Sequence, residues 1–167
     1  NLLFGTLTTE NMGGYTWYKN SRLNRISNWS NRAFLDDPSE IIYLEDYKTG
    51  KKWSLGLNPM PDENDYSIIY GFGYSKFIHN SLGINQELEV FVPCSDTAKL
   101  SILRLTNNNP ERRKLKLVYY IKPVLGEDEI KSDGCIKINY DDNSNMVIGE
   151  NLYEATFKNK GFLTSSE

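Results

Sequence analysis

The residues best equipped to do chemistry lie between positions 13 and 31, in the run GGYTWYKNSRLNRISNWSN. Rings, amides and two arginines crowd this stretch, and it holds hardly an aliphatic residue. A sugar needs flat apolar rings against its C–H faces and planar amide or guanidinium forks against its hydroxyls. Tyr15, Trp17 and Trp29 offer the rings; Asn20, Arg22 and Arg25 offer the forks. Carbohydrate contact is therefore the sharp expectation. The plainer one is an exposed strand that alternates aromatic with polar residues, its arginines paired with carboxylates. On either view the stretch makes a poor core strand.

Other constellations carry less. Glu87 and Glu89 point the same way from one strand, and at ~3.4 Å per residue they stand about 7 Å apart, a spacing compatible with an inverting glycosidase pair. Surface strands carry such residues routinely, so a solvated face is expected there, and likewise for Asp36 with Asp37 and for Glu127, Asp128 and Glu129. Asp141, Asn143 and Asn145 fall at positions one, three and five of a calcium loop. Met146 then stands where that loop needs glycine and Leu152 where it needs glutamate, so a plain turn is expected and no metal is assigned. Cys94 and Cys135 have no partner at metal-ligand spacing, and His79 is the sole histidine; a buried thiol and a satisfied strand histidine are the expected roles. Gly71-Phe72-Gly73 is half of a dinucleotide fingerprint, and it opens no helix.

The elements that position these residues read as strands. The chain has 167 residues, 39% hydrophobic and 25% charged, which bounds it to one domain with a real core. Tyrosine and asparagine are abundant and alanine is scarce, a composition that favours strands and turns over helices. Strands are expected over 1–9, 41–47, 51–55, 66–70, 74–79, 83–92, 100–106, 113–122, 134–140, 145–149, 152–157 and 161–164. Gly13-Gly14 permits a sharp turn into the aromatic stretch, Asp36 to Ser39 forms a turn, and Lys48-Thr49-Gly50 joins a hairpin. Residues 56–65 form a loop with two prolines. Between 83 and 92, Ile84, Gln86, Leu88, Val90 and Val92 share one face, the period of a half-buried antiparallel strand. One helical turn is allowed between Leu125 and Lys131. A formal charge of −3 offers no basic face to a phosphate backbone, so no nucleic acid is expected. No window approaches 18 apolar residues, so no membrane contact is expected from this segment. The first residues lack the regions of a secretion signal and begin without methionine, as a segment of a longer protein would, so this end does not reveal the compartment; a cytoplasmic setting is favoured on no motif of its own.

The run at 13–31, then Asp36-Asp37-Pro38-Ser39-Glu40 leading to Ile42-Tyr43-Leu44-Glu45-Asp46, then Thr49-Gly50-Lys51-Lys52-Trp53-Ser54, resembles the N-terminal β-sandwich of the glycoside hydrolase family 94 proteins. Gly71 to Phe77, Gly83 to Pro93 and Arg104 to Asn107 continue the likeness in order, so it covers nearly the whole chain. That family includes cellobiose, chitobiose and 1,2-β-oligoglucan phosphorylases and cyclic β-1,2-glucan synthases. NSRLNRISNWSN is closer to the NSRENRLTPWSND of the β-1,2-glucan branch than to the DARLRRLTRYRYN of cellobiose phosphorylases, although Leu23, Asn28 and Arg32 depart from the branch.

The resemblance implies an all-β fold, an antiparallel β-sandwich of the galactose mutarotase-like supersandwich kind, here an incomplete portion of it. It implies one domain over 1–167, the N-terminal part of a larger protein whose (α/α)6 catalytic barrel lies elsewhere. The parent would be an inverting phosphorylase or glycosyltransferase acting on β-glucan oligosaccharides, with inorganic phosphate as co-substrate, no other cofactor, and a homodimeric assembly. The chain itself would hold no catalytic residue. Tyr15, Trp17, Asn20, Arg22, Arg25 and Trp29 would contact carbohydrate or the barrel. A free-standing carbohydrate-binding module and a protein–protein interaction domain are the alternatives.

Overall fold

A computed structural model describes residues 1–30, 37–153 and 160–166. Among these residues the strands are β1 Phe4–Thr8, β2 Gly14–Tyr18, β3 Arg25–Ser27, β4 Glu40–Asp46, β5 Lys52–Ser54, β6 Tyr66–Gly71 and β7 Tyr74–Ser81, followed by β8 Ile84–Phe91, β9 Leu100–Asn107, β10 Leu115–Ile121 and β11 Pro123–Gly126. One helical turn, α1 Glu129–Ser132, precedes β12 Ile136–Asp141, β13 Met146–Asn151 and β14 Lys160–Thr164. They form four sheets, ordered β1-β2-β3-β11, β10-β4-β5, β12-β13-β14 and β6-β7-β8-β9, with every pairing antiparallel. The all-β expectation holds.

The core forms where two of these sheets face one another. Period-two alternation puts Ile42 and Leu44 of β4 on one inner face and Phe77, Leu88 and Val90 of β7 and β8 on the other, with Trp53 and Leu55 between them. Leu44, Trp53, Leu55 and Leu88 are wholly excluded from solvent. Gln86 occupies an inward position among them because its amide bridges the layers. Its Oε1 accepts from Trp53 Nε1 at 2.9 Å and its Nε2 donates to the Leu55 carbonyl at 3.1 Å, so a buried polar group is satisfied on both sides.

The 56–65 loop is tied down from within. Asp62, with a side chain only 2% exposed, lies 3.0 Å from His79 Nε2 and 3.4 Å from Lys51 Nζ. The His79 contact is off the hydrogen-bonding line, while Nδ1 sits 3.0 Å from the Asp65 carbonyl and the ring stacks on Tyr66 at 3.7 Å. Burial alone would raise the Asp62 carboxyl. The Asn64 amide, which donates to Asp62 Oδ1, outweighs it together with the nearby Ser81 hydroxyl and the charges of His79 and Lys51, and the group is held at about 2. Because this value is depressed, its stabilisation is complete above the unfolded value near 3.8 and disappears as pH falls through about 2, an effect on the order of 2 kcal/mol. Asp62→Asn is therefore expected to lower stability at pH 7 by about 1–2 kcal/mol and to speed proteolytic cleavage within 56–65; chemical denaturation and limited proteolysis measure both.

Two glycines serve close approach. Gly14 has φ of +117°, and a Cβ there would fall 2.0 Å from the Leu7 carbonyl oxygen, so the strand that opens the aromatic stretch requires glycine. Gly149 and Gly161 pair across β13 and β14, and the Leu125 side chain fills the space their missing Cβ atoms leave, since a Cβ on Gly161 would stand 2.7 Å from Leu125 Cδ2.

Several expectations need correction. The aromatic stretch is not a poor strand: it forms β2, in which Gly14, Tyr15 and Thr16 are buried. Strands β3 and β11 were not expected, and β11 claims Leu125, pushing the helical turn to Glu129–Ser132. Leu152 and Tyr153 bend away after β13 instead of beginning a strand; the rest of that expected strand, and Asp36 of the expected turn, lie outside the described residues. Cys94 is exposed, on the connection after β8, and Cys135 is half-buried. Asp141 uses its carboxylate to accept from the Asn143 amide and Ser144 Oγ, the ordinary chemistry of a turn.

Candidate functional site

β2, its 19–24 connection and β3 form a hairpin with two different faces. Trp17 pairs with Arg25 across the strands. On that face, three rings lie in a row: Tyr15 stacks on Trp29 at 4.7 Å and 11°, and meets Trp17 at 5.0 Å and 36°. The Trp17 ring covers Gly5 of β1, leaving no room there for a side chain. Arg25 sits 5.5 Å over the Tyr15 ring while Nη1 donates to the Trp29 carbonyl and Nε to the Ser21 carbonyl. This guanidinium is a clamp that fixes the row, with its Nε and one Nη1 proton engaged within the chain.

The connection is set by Asn20. Its Oδ1 accepts from the amides of Arg22 and Leu23 at 2.9 and 2.8 Å, an Asx turn that follows Lys19 at φ +60°. Arg22 stands exposed at the tip. The structure thus brings Tyr15, Trp17, Arg25 and Trp29 together and places Asn20 and Arg22 at the far end of the hairpin. Tyr15 is 6% exposed with a ring already stacked, so Trp17 and Trp29, both half-buried, are the rings with surface left to offer.

The opposite face carries a second arrangement that the sequence analysis missed. Glu40, at the start of β4, is buried, and it accepts from Thr16 Oγ1 at 2.7 Å, Ser27 Oγ, Lys99 Nζ and Tyr119 OH. Burial acts to raise this carboxyl, but the Lys99 charge and the hydrogen bonds from Lys99, Ser27 and Thr16 overcome it and hold the group below its ordinary value. Burial likewise pushes the Tyr119 phenol well up, with the Glu40 charge adding to it. Beside the pair lies a cavity of about 310 Å3 between β2–β3, β10 and β14, walled by Tyr18, Ile26, Leu125 and Phe162 among others. A signal for this centre exists in β4 itself: Glu40, Ile42, Leu44 and Asp46 alternate inward, so two carboxylates bracket two aliphatic side chains on one buried face. Asp46 is matched by Arg113, whose hydrogen bond is the largest influence and, with Thr49, holds the carboxyl at about 2 despite burial.

The carboxylates weighed as an acid–base pair are engaged elsewhere. Glu87 lies 3.7 Å from Arg104 and Glu89 lies 3.6 Å from Lys76, each on the outer face of its sheet. Among the described residues, where the fold moves a carboxyl's titration, at Glu40, Asp46, Asp62, Glu111 and Asp141, it moves it down. A general acid needs the reverse. Among the described residues no cluster of three or more His, Cys, Asp or Glu side chains is arranged to hold a metal ion.

Comparison with known proteins places these features in context. Residues 1–166 match the family model of the glycosyl hydrolase 94 supersandwich domain. The chain is 30% identical over 122 residues to an N,N'-diacetylchitobiose phosphorylase of Vibrio proteolyticus, covering 71% of this chain and 15% of that protein. It is 24% identical over 162 residues to the cyclic beta-(1,2)-glucan synthase NdvB of Rhizobium meliloti, covering 94% of this chain and 6% of that one. A solabiose phosphorylase of Paenibacillus borealis is 31% identical over 85 residues, half of this chain and 11% of the other. The chain therefore spans about 15% or less of the length of the relatives it matches.

Proposed function

Since the chain belongs to the glycosyl hydrolase 94 supersandwich family, we infer that it serves as a non-catalytic N-terminal domain of a phosphorylase or glycosyltransferase acting on β-glucan oligosaccharides, packed on that protein's catalytic barrel. The observation that carries this reading is surface. The chain exposes 10433 Å2 for 19.2 kDa, whereas a compact monomer of that mass exposes about 8,400 Å2, so roughly 2,000 Å2 is in excess. Large apolar side chains contribute to it: Tyr70 and Ile102 on one sheet, Leu117 and Tyr120 on β10, Ile138 and Phe162 on the last sheet are each between 44% and 56% exposed. Large apolar side chains left exposed on three of the sheets fit a surface made to be covered. The downward shift of the displaced carboxyls supports a scaffold in place of a proton donor.

Trp17, Trp29, Arg22 and Arg25 form the contact with the barrel or the acceptor side of its site, Tyr15 backing the rings and Asn20 shaping the turn. Inorganic phosphate is the parent's co-substrate, and a homodimer is the assembly in which this wall is set. The test separates the chain from its parent. The chain alone, given β-1,2-glucan or cellobiose with phosphate, is expected to release no sugar 1-phosphate, and adding it to the parent's barrel is expected to restore phosphorolysis. Trp17→Ala is expected to weaken that association about tenfold or more, as loss of a central aromatic does. Sugar 1-phosphate formed by the chain alone, or a barrel fully active without it, would overturn the reading.

A further inference from the structure

The geometry points to a second, separate site: the cavity beside Glu40 and Lys99 binds a neutral sugar unit, on the inner face of the hairpin whose outer face carries the aromatic row. Its size is the first ground. At about 310 Å3 it exceeds by far the voids that packed interiors leave and falls at the lower end of ligand pockets.

Donor and acceptor bookkeeping is the second ground. The Glu40 carboxylate has its lone pairs taken by four donors, Thr16, Ser27, Lys99 and Tyr119, and has no acceptor capacity left for a ligand. Lys99 gives one N–H to Glu40, which leaves ammonium protons beside the cavity that it lines. Asn24 also lines the cavity; it is 4% exposed, and its Nδ2 has no hydrogen-bond partner. The wall thus has surplus donors and a spent acceptor, so an occupant must bring oxygen acceptors. Glu40 balances the Lys99 charge and the other lining cation, Lys160, is exposed and hydrated, so those acceptors are neutral hydroxyl or ether oxygens in preference to an anion. Apart from Thr97 and the exposed Lys160, the remaining wall, including Tyr18, Ile26, Leu125 and Phe162, is mostly apolar and partly aromatic, suited to C–H faces. A molecule with apolar faces, neutral acceptor oxygens and this volume is a pyranose ring or a disaccharide.

This inference does not depend on how the domain packs on a barrel, and its test uses the 167-residue chain. Glucose, cellobiose and, as an anionic comparison, inorganic phosphate are titrated into the 15N-labelled chain. The expected result is saturable movement of the amides of Asn24, Ala98 and Lys99 with a neutral sugar and none with phosphate. Two variants keep the outcome clear of folding effects. Asn24→Leu removes an unpartnered donor and is expected to weaken sugar binding at least fivefold with no loss of melting temperature. Ile26→Phe fills the cavity and is expected to abolish the movement while the fold persists. Trp17→Ala, on the other face, is expected to leave it unchanged. No movement with either sugar, movement confined to Trp17 and Trp29, response to phosphate alone, or unchanged binding in Ile26→Phe would each overturn the site.

Discussion

Trp53→Ala is expected to cost about 4 kcal/mol or more and to leave the chain at or beyond the edge of unfolding under ambient conditions. Trp53 is wholly buried at the centre of the two-sheet core, against Leu44, Phe77 and Leu88. Truncation opens a hole the size of an indole, and large-to-small changes of this kind cost about 3–5 kcal/mol. It also strips Gln86 Oε1 of the indole N–H that donates to it inside the core, which adds about 1–3 kcal/mol for an unsatisfied buried acceptor. A domain with about 5–15 kcal/mol in hand does not absorb such a sum comfortably. Trp53→Phe separates the two contributions, since it keeps most of the volume and loses only the hydrogen bond. Urea unfolding of both variants measures the difference; a Trp53→Ala midpoint close to that of the original chain would show that the core does not centre on this ring.

The second large effect lies at Glu40. Glu40→Leu leaves the Lys99 ammonium in a mostly buried position without its counter-charge and leaves the hydroxyls of Thr16, Ser27 and Tyr119 without their shared acceptor. Removing one member of such a pair costs about 3–5 kcal/mol, whereas exchanging both for apolar residues of similar size costs little or even stabilises. Glu40→Leu combined with Lys99→Met is therefore expected to recover most of what Glu40→Leu loses. The same pair fixes a pH dependence. Because the folded value of the Glu40 carboxyl is depressed, the group's contribution is fully present above its unfolded value of 4.5 and is lost as pH falls through the lower folded value. Denaturant midpoints measured between pH 7 and pH 3 for the original chain are expected to fall at the acid end, and those of the double variant to fall less.

How much of this was legible depended on whether a residue's role was decided by its neighbours in sequence. The β8 strand was clear because Ile84, Gln86, Leu88 and Val90 alternate with exposed-face residues over its whole length, and every second residue is buried. The β4–β5 hairpin was clear because Gly50, at φ +70°, closes it with a turn residue. By contrast, β3 has three residues and β11 four, too few for any period to show; β11 exists because β3 is there to pair with it, nearly a hundred positions away. The Glu40 centre was legible only in part: the alternation of β4 puts its carboxylate on the buried face, but its donors come from positions 16, 27, 99 and 119. The aromatic row was legible as composition. What composition could not convey is that Tyr15 would turn inward to be stacked by Trp29 and overlaid by Arg25, which changes it from a surface for sugar into a support for one.

The Leu125 side chain seated against Gly149 and Gly161 sets how the molecule comes apart. Among the described residues β12, β13 and β14 share no ladder with the other sheets, and two contacts key them to β11: this leucine, and the buried Asn151 amide that donates to the Val124 and Leu125 carbonyls. Adding one methyl group to Gly161 would press on Leu125 Cδ2 and loosen one half of this joint, leaving the Asn151 amide to hold the last three strands on its own.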